Sequence, residues 1–98
     1  MTDNSFAGIV ERDIAQPILE ICKTLQREGN TDPFIFFSGI HNMLLEPDNE
    51  PMVLAAVIEL SRCAFLGFQY SPEVALQIDV LLDKSINIAH TMSAGEIN

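Results

Sequence analysis

Residues 32–51, with the sequence DPFIFFSGIHNMLLEPDNEP, decide the fold of this chain. Asp32 can accept hydrogen bonds from the free amides of a helix start, and Pro33 suits the first helical position. The run from Pro33 to Leu45 carries no charged side chain, and an acidic turn with a further proline, Pro51, follows it. The stretch therefore predicts an uncharged helix, an acidic turn and the start of another helix.

Helical spacing organises the uncharged segment. Phe34, Phe37, His41 and Leu44 recur at intervals of three and four residues, which places them on one helix face. The aromatic and β-branched run at 34–37 also suits a strand, but a lone strand would have no partner in this chain. We therefore expect a helix with one aromatic face.

The segment before this stretch predicts a first helix from Ser5 to Glu28, ended by Gly29. Pro17 lies inside it and removes one backbone hydrogen bond. A kinked helix is favoured because the apolar phase continues across the proline, and a break near Gln16 is the alternative. The apolar positions at helical spacing are Phe6, Val10, Ile14, Ile18, Ile21 and Leu25.

The segment after Pro51 predicts a third helix over 52–66, ended by Gly67. Its sequence, MVLAAVIELSRCAFL, is apolar nearly all round, which is typical of a helix at a bundle centre or at a subunit interface. Ser71 and Pro72 mark the start of a fourth helix, whose apolar stripe continues to Met92.

The connections between these helices are short, and short connections favour antiparallel neighbours. The prediction is an all-α fold, a small antiparallel bundle of four helices with helix 1 kinked or broken at Pro17. A looser orthogonal arrangement follows if the bend is large. We expect a single helical domain over residues 1–98, with residues 1–4 and 94–98 frayed.

The charge balance narrows the choice of partners. Fourteen acidic and five basic residues give a formal net charge of −9. This acidity disfavours direct binding to nucleic acid and to anionic membranes, since both need clustered Lys and Arg. An acidic surface can instead imitate a phosphate backbone and so inhibit a nucleic-acid-binding enzyme or defence complex. Such a mimic would use Glu46, Asp48, Glu50, Asp79 and Asp83.

The first residues show no signal peptide, and charged residues interrupt every apolar run before it could span a bilayer. Cys22 and Cys63 fall among apolar residues on predicted helices, which favours two buried thiols in a reducing cytosol. A disulfide between them stays open. We therefore expect a cytoplasmic protein.

Few side chains offer catalytic or metal chemistry. Asp79, Asp83 and His90 fall on one face of the fourth helix and could bind a cation, although a solvated helix face is the commoner meaning of this pattern. His41 could pair with a thiol, but no spacing supports such a pair. We expect no enzymatic activity, no cofactor and no metal site.

Apolar and aromatic residues exceed what one small core needs. The chain is 48% hydrophobic, and surplus apolar surface is typical of protein interfaces. We expect a non-catalytic protein-binding module, an accessory, adaptor or inhibitor subunit that acts through its uncharged aromatic helix and also forms a homo-oligomer. The residues expected at the interface are Phe34, Phe37, Met43, Phe68, Tyr70, Leu76 and Val80.

Overall fold

A computed structural model of the chain describes residues 5–97, and describes side chains over residues 5–92. It contains four helices: α1 (residues 6–28), α2 (Thr31–Met43), α3 (Glu50–Leu60) and α4 (Pro72–Ile97). Residues 5–97 contain no strand. The prediction of a small all-α bundle is confirmed. None of the described helices combines the length and the apolarity needed to cross a bilayer.

The ends of the chain were expected to fray. Residues 1–4 and residue 98 lie outside the described residues. Residues 94–97 belong to the last turns of α4, which runs to Ile97. Their fraying stays a prediction.

Helix α1 changes from α-helical to π-helical geometry before Pro17 and returns to α-helical geometry at Gln16. It consists of an α-helical segment Phe6–Val10, a π-helical segment Glu11–Ala15 and an α-helical segment Gln16–Glu28. The amide of Gln16 donates to the carbonyl of Glu11, five residues back. This wider turn lies where the proline ring would otherwise crowd the carbonyl four residues before it. Ala15 and Gln16 keep right-handed helical angles (φ −64°, ψ −46°), so α1 does not break there, and the bend of its axis stays a prediction.

Local capping determines most helix ends. Gly29 ends α1 in the left-handed conformation (φ +72°), and the amides of Gly29 and Asn30 donate to the carbonyls of Gln26 and Leu25. This pair of bonds is the Schellman motif. Helix α2 begins directly after it, at Thr31, so Asp32 lies in the first turn. The prediction that Asp32 caps α2 is wrong, because the two-residue connection brings the helix start forward.

The start of α3 follows the predicted pattern closely. Asn49 caps it by accepting a hydrogen bond from the amide of Met52 (3.3 Å), and Pro51 occupies the first turn. At the start of α4, the hydroxyl of Ser71 accepts from the amide of Val74 (3.2 Å). Pro72 is the first residue of α4, as predicted.

The end of α3 differs from the prediction. The helix stops at Leu60 rather than continuing to Gly67. The hydroxyl of Ser61 donates to the carbonyl of Ile58 (2.6 Å), and a 3₁₀ turn, Cys63–Phe65, follows. The residues expected to extend α3 form instead an eleven-residue connection, 61–71, to α4.

Cross-helix contacts give the direction of packing. Arg27 near the end of α1 pairs with Glu73 at the start of α4 (3.1 Å). Lys84, farther along α4, lies 4.0 Å from Asp13 of α1. Helices α1 and α4 therefore run antiparallel. One continuous apolar core lies between the helices, and its largest fully buried side chains include Ile14, Ile18, Ile21, Leu25, Phe37, Ile40, Leu44, Leu60 and Leu81.

Candidate protein-binding surface

Four aromatic rings join α2 to the 61–71 connection. Phe36 and Phe37 lie on α2, with ring centroids 5.1 Å apart, and Phe68 and Tyr70 lie on the connection, 6.2 Å apart. Phe36 meets Phe68 at 5.8 Å, and Phe37 meets Tyr70 at 6.4 Å. All four contacts are edge-to-face, an arrangement in which aromatic pairs attract beyond simple burial. These residues form what we call the aromatic cluster.

A hydrogen bond fixes the aromatic cluster to the turn after α3. The hydroxyl of Tyr70 donates to the carbonyl of Cys63 at 2.9 Å. Burial raises the pKa of Tyr70 to about 12, and the neighbouring Cys63 thiol adds to the rise. Asn30 also holds this connection, because its side-chain nitrogen Nδ2 donates to the backbone carbonyl of Gln69 at 3.0 Å.

Three of the predicted interface residues belong to the aromatic cluster. Phe37 is fully buried and its ring belongs to the core, and its expected contact with a partner stays a prediction. Phe68 and Tyr70 are half-buried and pack on α2. In this structure α2 and the connection pack against each other. Phe65, which is 86% exposed, lies at the outer side of this connection.

The remaining predicted interface residues fall into two groups. Phe34 and Met43 are half-buried beside the core. Leu76 and Val80 are 67% and 52% exposed on the outer face of α4. They border a shallow depression of about 330 Å³ together with Pro17, Glu20 and Gln77.

A second apolar concavity, larger than this depression, lies on another side of α4. It occupies about 390 Å³ between α3 and α4. Ile86 of α4, which lines it, is 53% exposed, and Ile58 of α3, next to the lining residue Val57 in the chain, is 57% exposed. We call this feature the α3–α4 groove, and its lining residues are Val57, Ser61, Leu82, Ser85, Ile86, Ala89 and His90.

Acidic residues continue the α4 wall of the groove. Asp79, Asp83, Ile86 and His90 are spaced by four, three and four residues, which places them on one strip of the helix. Ile86 and His90 line the groove, so the two carboxylates lie along the same edge. The charge of Asp79 also acts on the turn after α3, where Cys63 lies. Burial raises the pKa of the Cys63 thiol, and the negative charge of Asp79 raises it further.

Ion pairing leaves a specific set of acids without a basic partner. Within residues 5–92, all five basic side chains lie within 4.0 Å of a carboxylate, and those carboxylates belong to Asp13, Glu20, Glu59 and Glu73. The acids of the predicted mimic are all exposed, and over the same residues none of them makes an ion pair. They are Glu46, Asp48, Glu50, Asp79 and Asp83.

The side chains with possible catalytic chemistry do not converge in the described part of the chain. No group of three His, Cys, Asp or Glu residues there could hold a metal ion. The thiol of Cys22 contacts the hydroxyl of Ser38 at 3.7 Å. Burial raises the pKa of the Cys22 thiol. A nucleophilic cysteine needs a lowered pKa instead. Cys22 and Cys63 are both buried and free, so the disulfide left open by the sequence does not form in this structure.

Sequence reasoning missed Ile58 and Ile86. One signal was available, since α3 is apolar nearly all round and a helix of that kind must expose some of its apolar residues unless neighbours surround it. Ile86 gave a weaker signal, because it lies off the apolar stripe of α4. Helical phase shows that such residues are off the core face, but only the packing of α3 against α4 places Ile86 in the lining of a groove.

Comparisons with known proteins give no relative: no family model matches the chain, and neither a curated protein nor a solved structure matches it.

Proposed function

We propose that this chain is a non-catalytic protein-binding module of the cytosol, an accessory, adaptor or inhibitor subunit, and that it binds its partner through the α3–α4 groove. The proposal keeps the function expected from the sequence. It moves the contact surface from the aromatic side of α2 to the aliphatic walls of α3 and α4, because the rings of the aromatic cluster are occupied with one another.

A single observation carries the proposal: Ile86 is 53% exposed and lines the apolar groove between α3 and α4. Isolated exposed apolar residues are normal on a protein surface. Ile86 is exposed beside the groove residues Val57, Leu82 and Ala89, so these side chains form a contiguous apolar patch. Contiguous patches are typical of interaction sites. Burial of such anchors supplies most of the binding free energy in protein interfaces.

Site-specific photocrosslinking tests the proposal. A benzophenone amino acid would replace Ile86 in the groove or, as the control, Ile35 on α2, outside both the groove and the Leu76 and Val80 patch; the two positions are 53% and 63% exposed. In cytosol from the cells that make the protein, we expect a discrete crosslinked protein from position 86 that excess unlabelled wild type competes away. Absence of any competed crosslink at both positions would contradict the protein-binding proposal.

Self-association is the second element of the proposal. Leu76 and Val80 form an apolar patch beside Pro17, on a different face of α4 from the groove. A two-fold pairing of this patch would bury it and leave the groove free. Light scattering should give a dimer mass for the wild type and a monomer mass for Leu76→Asp. A monomer mass for the wild type at tens of micromolar would contradict self-association.

An acidic mimic of nucleic acid is the alternative function. The observation in its favour is that Glu46, Asp48, Glu50, Asp79 and Asp83 are exposed and lack basic partners over residues 5–92. A mimic must bind steeply more weakly as salt rises, because its contacts are ionic. Partner binding that survives high salt and the double change Asp79→Asn with Asp83→Asn would rule out this alternative.

A further inference from the structure

The α3–α4 groove combines an apolar floor with a charged edge. The apolar side chains that line it are Val57 of α3 and Leu82, Ile86 and Ala89 of α4. Asp79 and Asp83 stand on the same strip of α4 as Ile86. A ligand that fills the groove must therefore meet aliphatic side chains in the middle and carboxylates along one side.

The charge of that edge is not neutralised from the opposite wall. Arg62 follows the groove residue Ser61 in the chain, but its guanidinium pairs with Glu59 at 3.0 Å. Lys84 points to the other side of α4, where it lies 4.0 Å from Asp13 of α1. Within the described side chains, the groove is left with a negative rim.

We propose that the α3–α4 groove is a receptor for a basic amphipathic helix of another protein, whose apolar face enters the groove while its Lys or Arg residues meet Asp79 and Asp83. The inference rests on the proposed protein-binding function and names the chemistry of the partner. An amphipathic helix is the ligand whose apolar stripe suits a groove between two helices. Charge complementarity selects the basic one, because like charges across an interface are strongly unfavourable.

A second copy of this chain is the competing occupant, and its charge argues against it. Each copy has a formal net charge of −9. Pairing through this groove would bring two acidic rims together, whereas a basic helix neutralises one.

Three synthetic helices of about 18 residues, with one shared leucine face and polar faces of Lys, Glu or Gln, test the inference by fluorescence anisotropy. We expect the Lys peptide to bind at least about ten-fold tighter than the Gln peptide and the Glu peptide to bind weakest. Equal binding of the Lys and Glu peptides, or no binding of the Lys peptide, would overturn the inference.

Matched variants separate groove binding from general attraction to an acidic protein. Ile86→Asn should weaken binding of the Lys peptide about ten-fold, and Ile35→Asn on α2, where the side chain is 63% exposed, less than about two-fold, because only Ile86 lines the groove. Asp79→Asn with Asp83→Asn should weaken it about five-fold and flatten its salt dependence. Glu46→Gln with Asp48→Asn removes the same charge elsewhere and should have less than half of that effect. Equal losses within either matched pair would overturn the inference.

Failure of the basic-helix inference can be distinguished from failure of the proposed protein-binding function. If Ile86→Asn abolishes binding of the crosslinked natural partner while Asp79→Asn with Asp83→Asn leaves it unchanged, the protein-binding function stands and the basic helix is rejected. If no natural partner is captured at all, the protein-binding function itself fails, whatever the peptides do.

Discussion

The aromatic cluster and the α3–α4 groove are two apolar regions of the same small bundle, and they differ in how far the chain itself buries their side chains. In the cluster, Phe36, Phe37, Phe68 and Tyr70 contact one another, and a hydrogen bond holds the connection in place. In the groove, Ile86 is more than half exposed. Most aromatic side chains of α2 and the connection therefore pack within the chain, and we propose that the exposed aliphatic side chains of the groove contact a partner.

Removal of the central ring of the cluster should have the largest effect on stability. Phe37→Ala empties a fully buried site, so we expect the free energy of unfolding to fall by about 3–5 kcal/mol in urea denaturation. Phe65→Ala is the control, because that ring is 86% exposed, and its effect should stay within about 0.5 kcal/mol. Similar losses for the two variants would break the distinction between structural and surface aromatics.

Loss of the Tyr70 hydroxyl should lower the free energy of unfolding less than loss of the Phe37 ring. Tyr70→Phe keeps the ring in the cluster and removes the hydrogen bond to the Cys63 carbonyl. We expect a decrease of about 1 kcal/mol in the free energy of unfolding. An unchanged stability would mean that the rings alone hold the connection against α2.

Alkaline pH offers a milder way to weaken the same contact. The pKa of Tyr70 is raised to about 12 in the folded protein, whereas an unfolded tyrosine ionises near pH 10. The folded state therefore keeps a proton that the unfolded state releases, so this contribution is complete below pH 10 and is lost as the pH rises towards 12. The chain has one tyrosine and no tryptophan, so ultraviolet absorbance reports this phenol alone. Tyr70→Phe should show a shallower loss of stability over the same pH range, and equal slopes would contradict the assignment.

The smallest stability effect should come from the groove. Ile86→Asn and Val80→Asn each change an exposed β-branched residue of α4, so both should shift the free energy of unfolding by about 0.5 kcal/mol or less. Thermal denaturation followed by circular dichroism checks this. A loss above 2 kcal/mol for Ile86→Asn would show that the groove residues belong to the core, and it would remove the reason to expect a partner there.

Much of the fold was predictable because its signals are local. Pro72 with Ser71 marked the start of α4, Pro51 lay one residue inside α3, and Gly29 ended α1. These features depend on a capping side chain or a single backbone conformation within a few residues. The end of α3 was not predictable in this way, because the connection after Leu60 is held by contacts with α2 and with Asn30.

The surface that we propose for binding was less predictable than the fold. The acidic residues Asp79 and Asp83 could be placed on one helix face from their spacing alone. Burial of Phe37 and exposure of Ile86 could not, since both depend on how neighbouring helices pack. Sequence composition thus indicated an excess of apolar residues without showing which of them the chain buries.

Methyl and aromatic NMR of the protein, titrated with the Lys peptide, tests the central claim most directly. We predict shifts of the methyl signals of Val57, Leu82 and Ile86 in the groove, with the ring signals of Phe36 and Phe68 unchanged. Shifts confined to the aromatic cluster, with the groove methyls unmoved, would contradict the division of this molecule into a structural cluster and a binding groove.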